Sequence, residues 1–319
     1  YTLRQGGDLA TLVIPGAVLT GRSGADILTL TRTEVMLGGK SGPRVAGNIV
    51  TGGPGFPAIE GQIVRQGAGR ATARLRMAEY RAGDARLALP ELVLVQESGG
   101  AIGFSGRAEI SGALPGGRID SLVVPIDGTW SNRAGLAAWR RCVPLRFAGF
   151  QLASLSLDRR ELTICPGREG AILRSDARGL RVAGGTAGFA LAGRLADSPI
   201  RITSGPAGFA WPGALAMRNV GVSLGDMAAP TTLQIADLKG RLGETMGGTF
   251  SGTEFRIAAV PLDVLDGAGQ WRYAGSKLDL SGATLRVEDR QVDDRFRPLI
   301  ARDATLSFVN SDLTADAML

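Results

Sequence analysis

The sequence predicts an elongated all-β protein made mainly of antiparallel strands, and three observations support this. Glycine contributes 47 of the 319 residues, about twice its usual share, and a glycine inside a helix costs roughly 1 kcal/mol relative to alanine. Hydrophobic residues make up 44% of the chain but aromatic residues only 5%, so the apolar content is mainly aliphatic. Short alternations of apolar and polar residues are bounded by Gly, Pro, Asp or Ser, as in strands and turns. We therefore expect an extended sheet with a long aliphatic face and few short helices.

The clearest alternation lies in residues 71–77, where odd positions are apolar and most even positions are charged or polar. Because successive side chains of a strand point to opposite faces, Leu75 and Arg74 should lie on opposite faces. Shorter runs around Arg256 and Asp279 follow the same pattern. The apolar members of the three runs are the candidate lining residues of one apolar surface: Ala73, Leu75, Met77, Phe255, Ile257, Leu278 and Leu280. The alternative is that these residues pack against a second sheet.

Some runs change phase in the middle. Leu278–Leu280 and Leu285–Val287 lie on opposite parities with Gly282 between them, which predicts a β-bulge or a bent strand. Residues 150–152 and 155–157 show the same change without a glycine between them. Strongly curved sheets need such devices, so we expect the sheet to be strongly curved.

The excess of basic over acidic residues does not indicate nucleic-acid binding. The net charge is +6, and the basic residues are almost all arginines scattered singly among acidic residues. They lack the interleaved aromatic residues on which single-stranded nucleic acid stacks. Solvated strand faces are the favoured interpretation, and attraction to anionic lipid headgroups is the second.

The composition also argues against an enzyme. The chain contains no histidine, which removes the commonest general base and the commonest metal ligand. The acidic cluster Glu288, Asp289, Asp293 and Asp294 could in principle bind calcium, but it lacks the glycine and spacing of a calcium loop. Arginines alternate with it in sequence, so a salt-bridged turn is favoured. We expect no catalytic residue, no metal and no cofactor.

Three glycine-rich segments resemble phosphate loops or a nucleophile elbow only superficially. They are Gly52–Gly55, Gly67–Gly69 and Gly103–Gly106. No helix-forming segment or P-loop lysine follows the first two, and no histidine could activate the serine of the third. All three are expected to be turns.

Cys142 and Cys165 are the only cysteines. Each lies at one end of a strand-like run with a proline close behind it, so a hairpin between the runs would bring the two together. A disulfide formed in an oxidising compartment is favoured, and two buried free thiols are the alternative. Two cysteines without histidine cannot complete a tetrahedral zinc site.

The chain shows no convincing linker. We expect residues 1–319 to form one continuous β-groove with a weak seam near 128–145, between a first segment (1–130) and a second (140–319). Residues 133–141 could be a short helix or a loop, and residues 287–298 a charged loop or short helix. The chain starts at Tyr1 and has no signal-like region and no run of ~18 apolar residues. We therefore expect an internal fragment whose export signal or anchor lies elsewhere.

A family resemblance rests on five short segments. Arg141–Leu152 (RCVPLRFAGFQL), Leu162–Pro166 (LTICP) and Gly170–Ile172 (GAI) resemble the bacterial AsmA-like superfamily. They are most similar to its YdbH-type branch, often labelled as dicarboxylate-transport domains. Arg295–Leu299 (RFRPL) and Asp303–Leu306 (DATL) are similar to the same branch. The rest of the chain matches only in its style of short, glycine-broken strands.

The resemblance implies a non-catalytic periplasmic protein anchored to the inner membrane by a segment outside this chain. It also implies a sheet curled into an apolar groove that moves phospholipid between the inner and outer membranes. The expected partners are phospholipid acyl chains and both membranes, and an accessory envelope lipoprotein is a further candidate. The residues agree, because an acyl chain gains ~0.8 kcal/mol for each CH₂ that it buries on an aliphatic surface.

Three other architectures compete with the groove. The main rival is a β-helix passenger or adhesin, but such folds often stack asparagines at their turns, and the chain has four asparagines. The third alternative is a β-helix carbohydrate enzyme, which is disfavoured because no pair of carboxylates has a convincing spacing for catalysis. A tandem of antiparallel β-sandwiches is fourth.

Overall fold

The computed structural model describes residues 1–22, 24–39, 42–67, 69–114, 116–243, 245–275, 277–291, 295–309 and 312–318. Within these residues the chain forms 24 strands and no helix. Neighbouring strands of the described ranges pair in the antiparallel direction. The predicted all-β, antiparallel fold class is therefore confirmed, and the antiparallel pairing excludes a parallel β-helix.

The first twelve strands precede residue 167 and the other twelve follow it. Strands β1–β12 are Thr2–Gly6, Leu9–Thr20, Asp26–Gly38, Arg44–Thr51, Ile59–Arg65, Ala71–Ala82, Ala85–Gln96, Ile102–Leu114, Gly117–Ser131, Gly135–Ala138, Val143–Leu152 and Leu155–Pro166. Strands β13–β24 are Leu173–Asp176, Gly179–Thr186, Phe189–Leu195, Ser198–Ser204, Ala207–Trp211, Gly213–Leu224, Thr231–Leu242, Met246–Arg256, Leu262–Ala274, Lys277–Asp289, Leu299–Val309 and Asp312–Met318.

The strands belong to two structural units. Unit 1 comprises Tyr1–Ala148 and Leu173–Leu180, and unit 2 comprises Gly149–Ile172 and Arg181–Leu319. In unit 1, strands β1 to β9 pair consecutively, and β10 pairs with both β9 and β13. In unit 2, strands β18 to β24 pair consecutively. Both units are therefore mainly meanders of neighbouring strands.

The pairing register gives unit 1 one apolar and one polar face. Leu75 of β6 lies opposite Gly61 of β5 and Leu92 of β7, whereas Arg76 lies opposite Glu60. Residues directly opposite one another in an antiparallel pair share a face. We call the face that carries Leu75 the apolar face of unit 1 and the face that carries Arg76 its polar face.

Unit 2 is divided in the same way. Leu280 of β22 lies opposite Trp271 of β21 and Leu306 of β23, whereas Asp279 lies opposite Arg272. We call the face that carries Leu280 the apolar face of unit 2 and the face that carries Asp279 its polar face. The alternation predicted around Asp279 therefore extends across neighbouring strands.

A line of irregular residues, which we call the crease, crosses β18 and β20–β23 of unit 2. One residue in the middle of each strand has a positive φ: Asn219, Gly252, Asp266, Gly282 and Asp303. In β22, Ser281 and Gly282 are both exposed, and the alternation then resumes with the opposite parity, so the apolar residues stay on one face. The phase change predicted at Gly282 is confirmed as a register shift between Leu280 and Ala283.

Four glycines on the apolar faces lie where a neighbouring strand comes unusually close: Gly61, Gly106, Gly193 and Gly248. A Cβ atom on Gly61 would be 2.0 Å from the carbonyl oxygen of Arg74, and one on Gly248 would be 1.9 Å from that of Lys239. Since a Cβ atom points out of the sheet on its own face, the neighbouring backbone is displaced toward the apolar face here. Each unit is therefore concave on its apolar side at these positions.

The described part of the chain has no deeply buried core. No described residue is fully buried, and the chain exposes 20022 Å². Two compact domains of half its 33.1 kDa mass would together expose roughly 15,000 Å². Within each unit the extensive strand contacts follow the ladders of neighbouring strands. The apolar side chains are therefore covered mainly by neighbours on the same sheet.

The two segments for which a helix was considered are not helical in the described residues. Residues 132–134 form a turn and Gly135–Ala138 form β10, because this segment pairs with strands on both sides. Residues 287–289 end β22, and the described residues of 290–298 form a loop. The first segment is therefore a turn followed by a strand, and the second is the end of a strand followed by a loop.

Two expectations about local structure were wrong. The phase change between 150–152 and 155–157 is not a bulge, because a turn at Ala153–Ser154 separates β11 from β12, and Ala153 adopts a positive φ of 49°. Gly103–Gly106 is not a turn but lies inside β8. Gly106 is needed there because a Cβ atom would be 2.1 Å from the carbonyl oxygen of Glu91. The other two glycine-rich segments do lie between strands.

Candidate functional site

The candidate site in unit 1 is the apolar face around β4–β9. Ala73, Leu75 and Met77 lie on it in register, since Ala73 faces Ile63 and Met77 faces Ile59 across β5. Other large members of this face come from four further strands, β4 and β7–β9: Ile49, Leu89, Leu92, Leu94, Phe104, Ile110, Val124 and Ile126. Aliphatic side chains therefore form one surface that crosses six strands.

The corresponding site in unit 2 is the apolar face around β18–β23. Phe255 lies opposite Leu233 of β19, and Leu278 lies opposite Tyr273 of β21 and Phe308 of β23. Leu280 lies one register step further along the same face. Other large members are Val220, Val222, Ile235, Leu238, Phe250, Val264, Trp271, Val287 and Leu306. Ile257 lies just beyond the end of β20, outside the ladder.

Most of these side chains are half-buried. In β6, Ala73 and Leu75 are half-buried, and Met77 retains only 3% of its surface. Leu278 is exposed, at 36% of its surface. Thr33 of β3 is a buried polar residue on the apolar face of unit 1. The surface is thus almost uniformly apolar and remains partly accessible.

The polar faces carry exposed ion pairs. Arg76 pairs with Glu60 at 2.7 Å, and Arg107 lies 3.4 Å from Glu109. Exposed pairs of this kind contribute little to stability, typically about 0–1 kcal/mol. Their main consequence is that they determine which face of the sheet is exposed to water, because charged side chains remain hydrated.

The described part of the acidic segment is a salt-bridged turn. The Asp289 carboxylate accepts hydrogen bonds from the Arg295 guanidinium at 2.6 and 3.1 Å and from the amides of Gln291 and Arg295 at 3.0 Å. The Arg295 side chain is the main cause that holds the pKa of Asp289 well below its usual range. Arg286 pairs with Asp266 and Glu288. Asp293 and Asp294 lie outside the described residues.

The predicted disulfide is present. Cys142 and Cys165 are both disulfide-bonded, and the described residues include no free cysteine. The favoured interpretation over two buried thiols is therefore confirmed. A disulfide is typical of proteins in oxidising compartments such as the periplasm.

In the described ranges no group of three or more His, Cys, Asp or Glu side chains is arranged to hold a metal ion. The same ranges contain no helix long and apolar enough to cross a membrane.

Fold and site together define a class: an all-β protein whose antiparallel sheets are apolar and locally concave on one side and charged on the other. The chain belongs to the YdbH-like family, because residues 10–319 match the family model described as intermembrane phospholipid transport protein YdbH. The resemblance carried by the five short segments is therefore confirmed. The description names a transport protein rather than an enzyme. No curated protein and no solved structure matches the chain.

Sequence reasoning identified the direction of the lining residues but missed most of their neighbours. Ile59 and Ile63 face the predicted residues directly, and their own alternation with Glu60 and Gln62 was a usable signal. Trp271 lies beside Leu280 but belongs to a run without clean alternation. Its place depends on the pairing of β21 with β22, which a single strand does not reveal.

Proposed function

We propose that this chain carries phospholipid between the inner and outer membranes, with the acyl tails lying on the apolar faces of its sheets. The observation that supports this most is the register. It places Ala73, Leu75 and Met77 on the concave, aliphatic side of unit 1, and it places Leu278 and Leu280 on the matching side of unit 2. The family description names the same class of cargo.

The chemistry of the faces suits tails that must move. Each CH₂ that leaves water contributes ~0.8 kcal/mol, so a partly accessible aliphatic surface holds a tail without any specific contact. Neighbouring positions bind almost equally, because the face in unit 1 is built mainly of Leu, Ile and Val. The large charged side chains of β6, such as Arg74 and Arg76, lie on the other face, which avoids strong polar traps.

Several finer features belong to the same proposal. The protein works in the periplasm, is anchored to the inner membrane by a segment outside this chain, and cooperates with an accessory envelope lipoprotein. Each unit carries tails on its own apolar face, and no step of bond making or breaking is required. The disulfide between Cys142 and Cys165 and the family description support the periplasmic location.

A charged substitution on each face tests the proposal. Leu75→Asp places a carboxylate on the apolar face, where an ionised group is costly, so phospholipid transfer between vesicles by the purified protein should fall at least tenfold. Because Leu75 is half-buried, the melting temperature should change by only a few degrees. Met77 is less suitable, since its 3% exposure makes a folding defect harder to separate from a transfer defect.

The matched control is Val93→Asp. Val93 lies opposite Arg74 on the polar face, so a carboxylate there has water and a cation beside it, and transfer should stay within twofold of the unmodified protein. If Leu75→Asp unfolds the protein, the residue belongs to a sealed core between two sheets. If both variants transfer lipid normally, the apolar face is not the path.

A further inference from the structure

The strands of unit 2 end at two different rims. The short-turn rim consists of the strand ends at the connections 243–245, 275–276 and 310–311. The long-loop rim consists of the opposite ends, at the connections 225–230, 257–261 and 290–298. The two rims carry different side chains, although the same strands run between them.

Large, partly exposed apolar side chains line the apolar face at the short-turn rim. Tyr273 faces Met246 of β20 and Leu278 of β22, and Leu278 faces Phe308 of β23. Tyr273, Leu278 and Phe308 retain 39%, 36% and 47% of their surface. Tyrosine combines an apolar ring with a polar hydroxyl and is enriched where hydrocarbon meets headgroups. This end of the face therefore has the character of a lipid interface.

Basic side chains lie on the polar face at the same rim. Arg241 and Arg272 face each other across Gly247, which has no side chain to fill the space between them. Lys239 lies two residues further along β19. All three are exposed, and Arg272 lies opposite Asp279, whose pKa it helps to lower. Their long stems can reach around the strand ends.

The Asp279 carboxylate, which lies opposite Arg272, is engaged with other side chains as well. Asp279 pairs with Lys277 at 2.9 Å and accepts a hydrogen bond from Ser307 at 2.8 Å. Lys277 and then Ser307 are the main causes that lower the pKa of Asp279. Among the side chains described at this rim, the positive charges of Lys239, Arg241, Arg272 and Lys277 therefore outnumber the one carboxylate of Asp279.

The long-loop rim differs because three of its arginines are used internally. Arg256 pairs with Asp263 at 3.0 Å, and Arg295 pairs with Asp289. Arg290 donates hydrogen bonds to the carbonyl oxygens of Ile257 and Val260 at 2.8 and 2.7 Å. These contacts tie loops together and leave little positive charge for an outside anion.

The distance from the short-turn rim to the crease suits one lipid tail. The six residues from Lys277 to Gly282 span about 20 Å at the usual rise of a strand. The tails of one leaflet occupy about 15 Å, half of a bilayer core. A tail that starts at the short-turn rim therefore ends near the crease.

We propose that the short-turn rim of unit 2 binds the phosphate of a phospholipid whose tails lie on the apolar face of that unit. This rests on the proposed function and adds which end of the strands holds the headgroup. Arg241 and Arg272 contact the phosphate oxygens, since guanidinium groups match them in charge and geometry. Tyr273 lies at the level of the ester groups, and Phe308 and Leu278 contact the first part of the tails.

The test compares two lipids with identical 16-carbon tails, phosphatidylglycerol and diacylglycerol, on the purified protein. The unmodified protein should bind the phospholipid more tightly. The double variant Arg241→Gln/Arg272→Gln should lose roughly 25-fold in phospholipid affinity, about fivefold for each arginine, with diacylglycerol affinity unchanged. The control Arg74→Gln/Arg86→Gln removes the same charge from the polar face of unit 1 and should leave both affinities unchanged.

The other outcomes separate the alternatives. Equal affinity of the unmodified protein for both lipids, or an equal loss in the control variant, overturns the headgroup assignment. If the arginine variant keeps its preference for free phospholipid but no longer sediments with anionic vesicles, the rim contacts a membrane surface and the assignment to carried lipid is wrong. If neither lipid binds to the unmodified protein, the proposed function itself fails.

Discussion

The apolar faces of the two units are built on the same principle but from different side chains. Around β6 of unit 1 the face is mainly aliphatic, with Leu75 between Gly61 and Leu92. At the short-turn rim of unit 2 it is rich in rings, with Trp271 beside Leu280. In unit 2, Arg241 and Arg272 lie at the short-turn rim, whereas Arg256 and Arg295 at the long-loop rim are held in ion pairs.

This difference in side chains suggests that the two units contact a lipid in different ways, although both are built from the same kind of sheet. A uniform aliphatic face holds tails without favouring one position, whereas a face with an aromatic and basic end orients a lipid. Both depend on glycines that let strands approach on the apolar side, such as Gly61 in unit 1 and Gly248 in unit 2. The high glycine content therefore serves the concave side of the sheets as well as the turns.

The largest expected effect concerns what the two units share. Gly61→Ala and Gly248→Ala would each place a Cβ atom within 2.0 Å of a backbone carbonyl oxygen, so each should destabilise the protein by about 1–3 kcal/mol, measured by urea unfolding. The control is Gly103→Ala on the polar face, where the added Cβ atom would be 3.8 Å from its nearest neighbour, the Val95 carbonyl oxygen. That change should be neutral or stabilise by up to about 1 kcal/mol. Equal effects at all three positions would contradict the concave apolar faces.

A smaller effect should separate the units. Trp271 of unit 2 lies over Gly240, and its indole N–H donates to the Lys239 carbonyl oxygen at 3.1 Å. Trp130 of unit 1 also lies on an apolar face but is 41% exposed. Trp271→Ala should cost about 2 kcal/mol, less than a fully buried tryptophan, and Trp130→Ala less than about 1 kcal/mol. A larger loss at position 130 in thermal unfolding would reverse the comparison.

The smallest effect concerns the long-loop rim and pH. The pKa of Asp289 is lowered in the folded state, chiefly by Arg295, so its contribution to stability is complete above the unfolded pKa of about 3.9. That contribution is lost progressively as the pH falls below this value. Asp289→Asn should lower the melting temperature at pH 7, and this difference should be smaller at pH 3 and shrink further as the pH falls. The control Asp84→Asn, in the β6–β7 turn, should show no such convergence. A constant difference for Asp289→Asn between pH 7 and pH 3 would contradict the role of this pair.

Local features of the fold followed from the sequence wherever one strand was sufficient. The alternation in residues 71–77 placed Leu75 and Arg74 on opposite faces, and Gly282 marked a real change of phase. The same reasoning failed at Ala153, because a two-residue turn and a bulge both shift parity and no glycine distinguished them. It also failed at Gly106, where close approach of a neighbouring strand, invisible in the sequence, explains the glycine.

The sequence predicted the face of the sheet on which the lining residues lie, but it did not predict which residues of neighbouring strands lie beside them. Each lining residue followed from its own strand, except Ile257, which lies beyond the end of β20. The partners across the ladder, such as Ile59 and Leu92, depend on register, which is fixed by turns and neighbouring strands. The asymmetry of the rims also depends on register, because Arg241 and Arg272 are 31 positions apart in sequence and meet only across β20.

Photo-crosslinking in living cells tests the central claim most directly. A photoreactive residue at position 75 or 280 on the apolar faces should capture phospholipid, whereas one at position 74 or 281 on the polar faces should capture little. The paired positions are adjacent in sequence, so expression and folding are closely matched. Strong capture at 75 and 280 with weak capture at 74 and 281 is the result that our account predicts. Equal capture on both faces, or none at 75 and 280, would show that the apolar faces do not carry lipid.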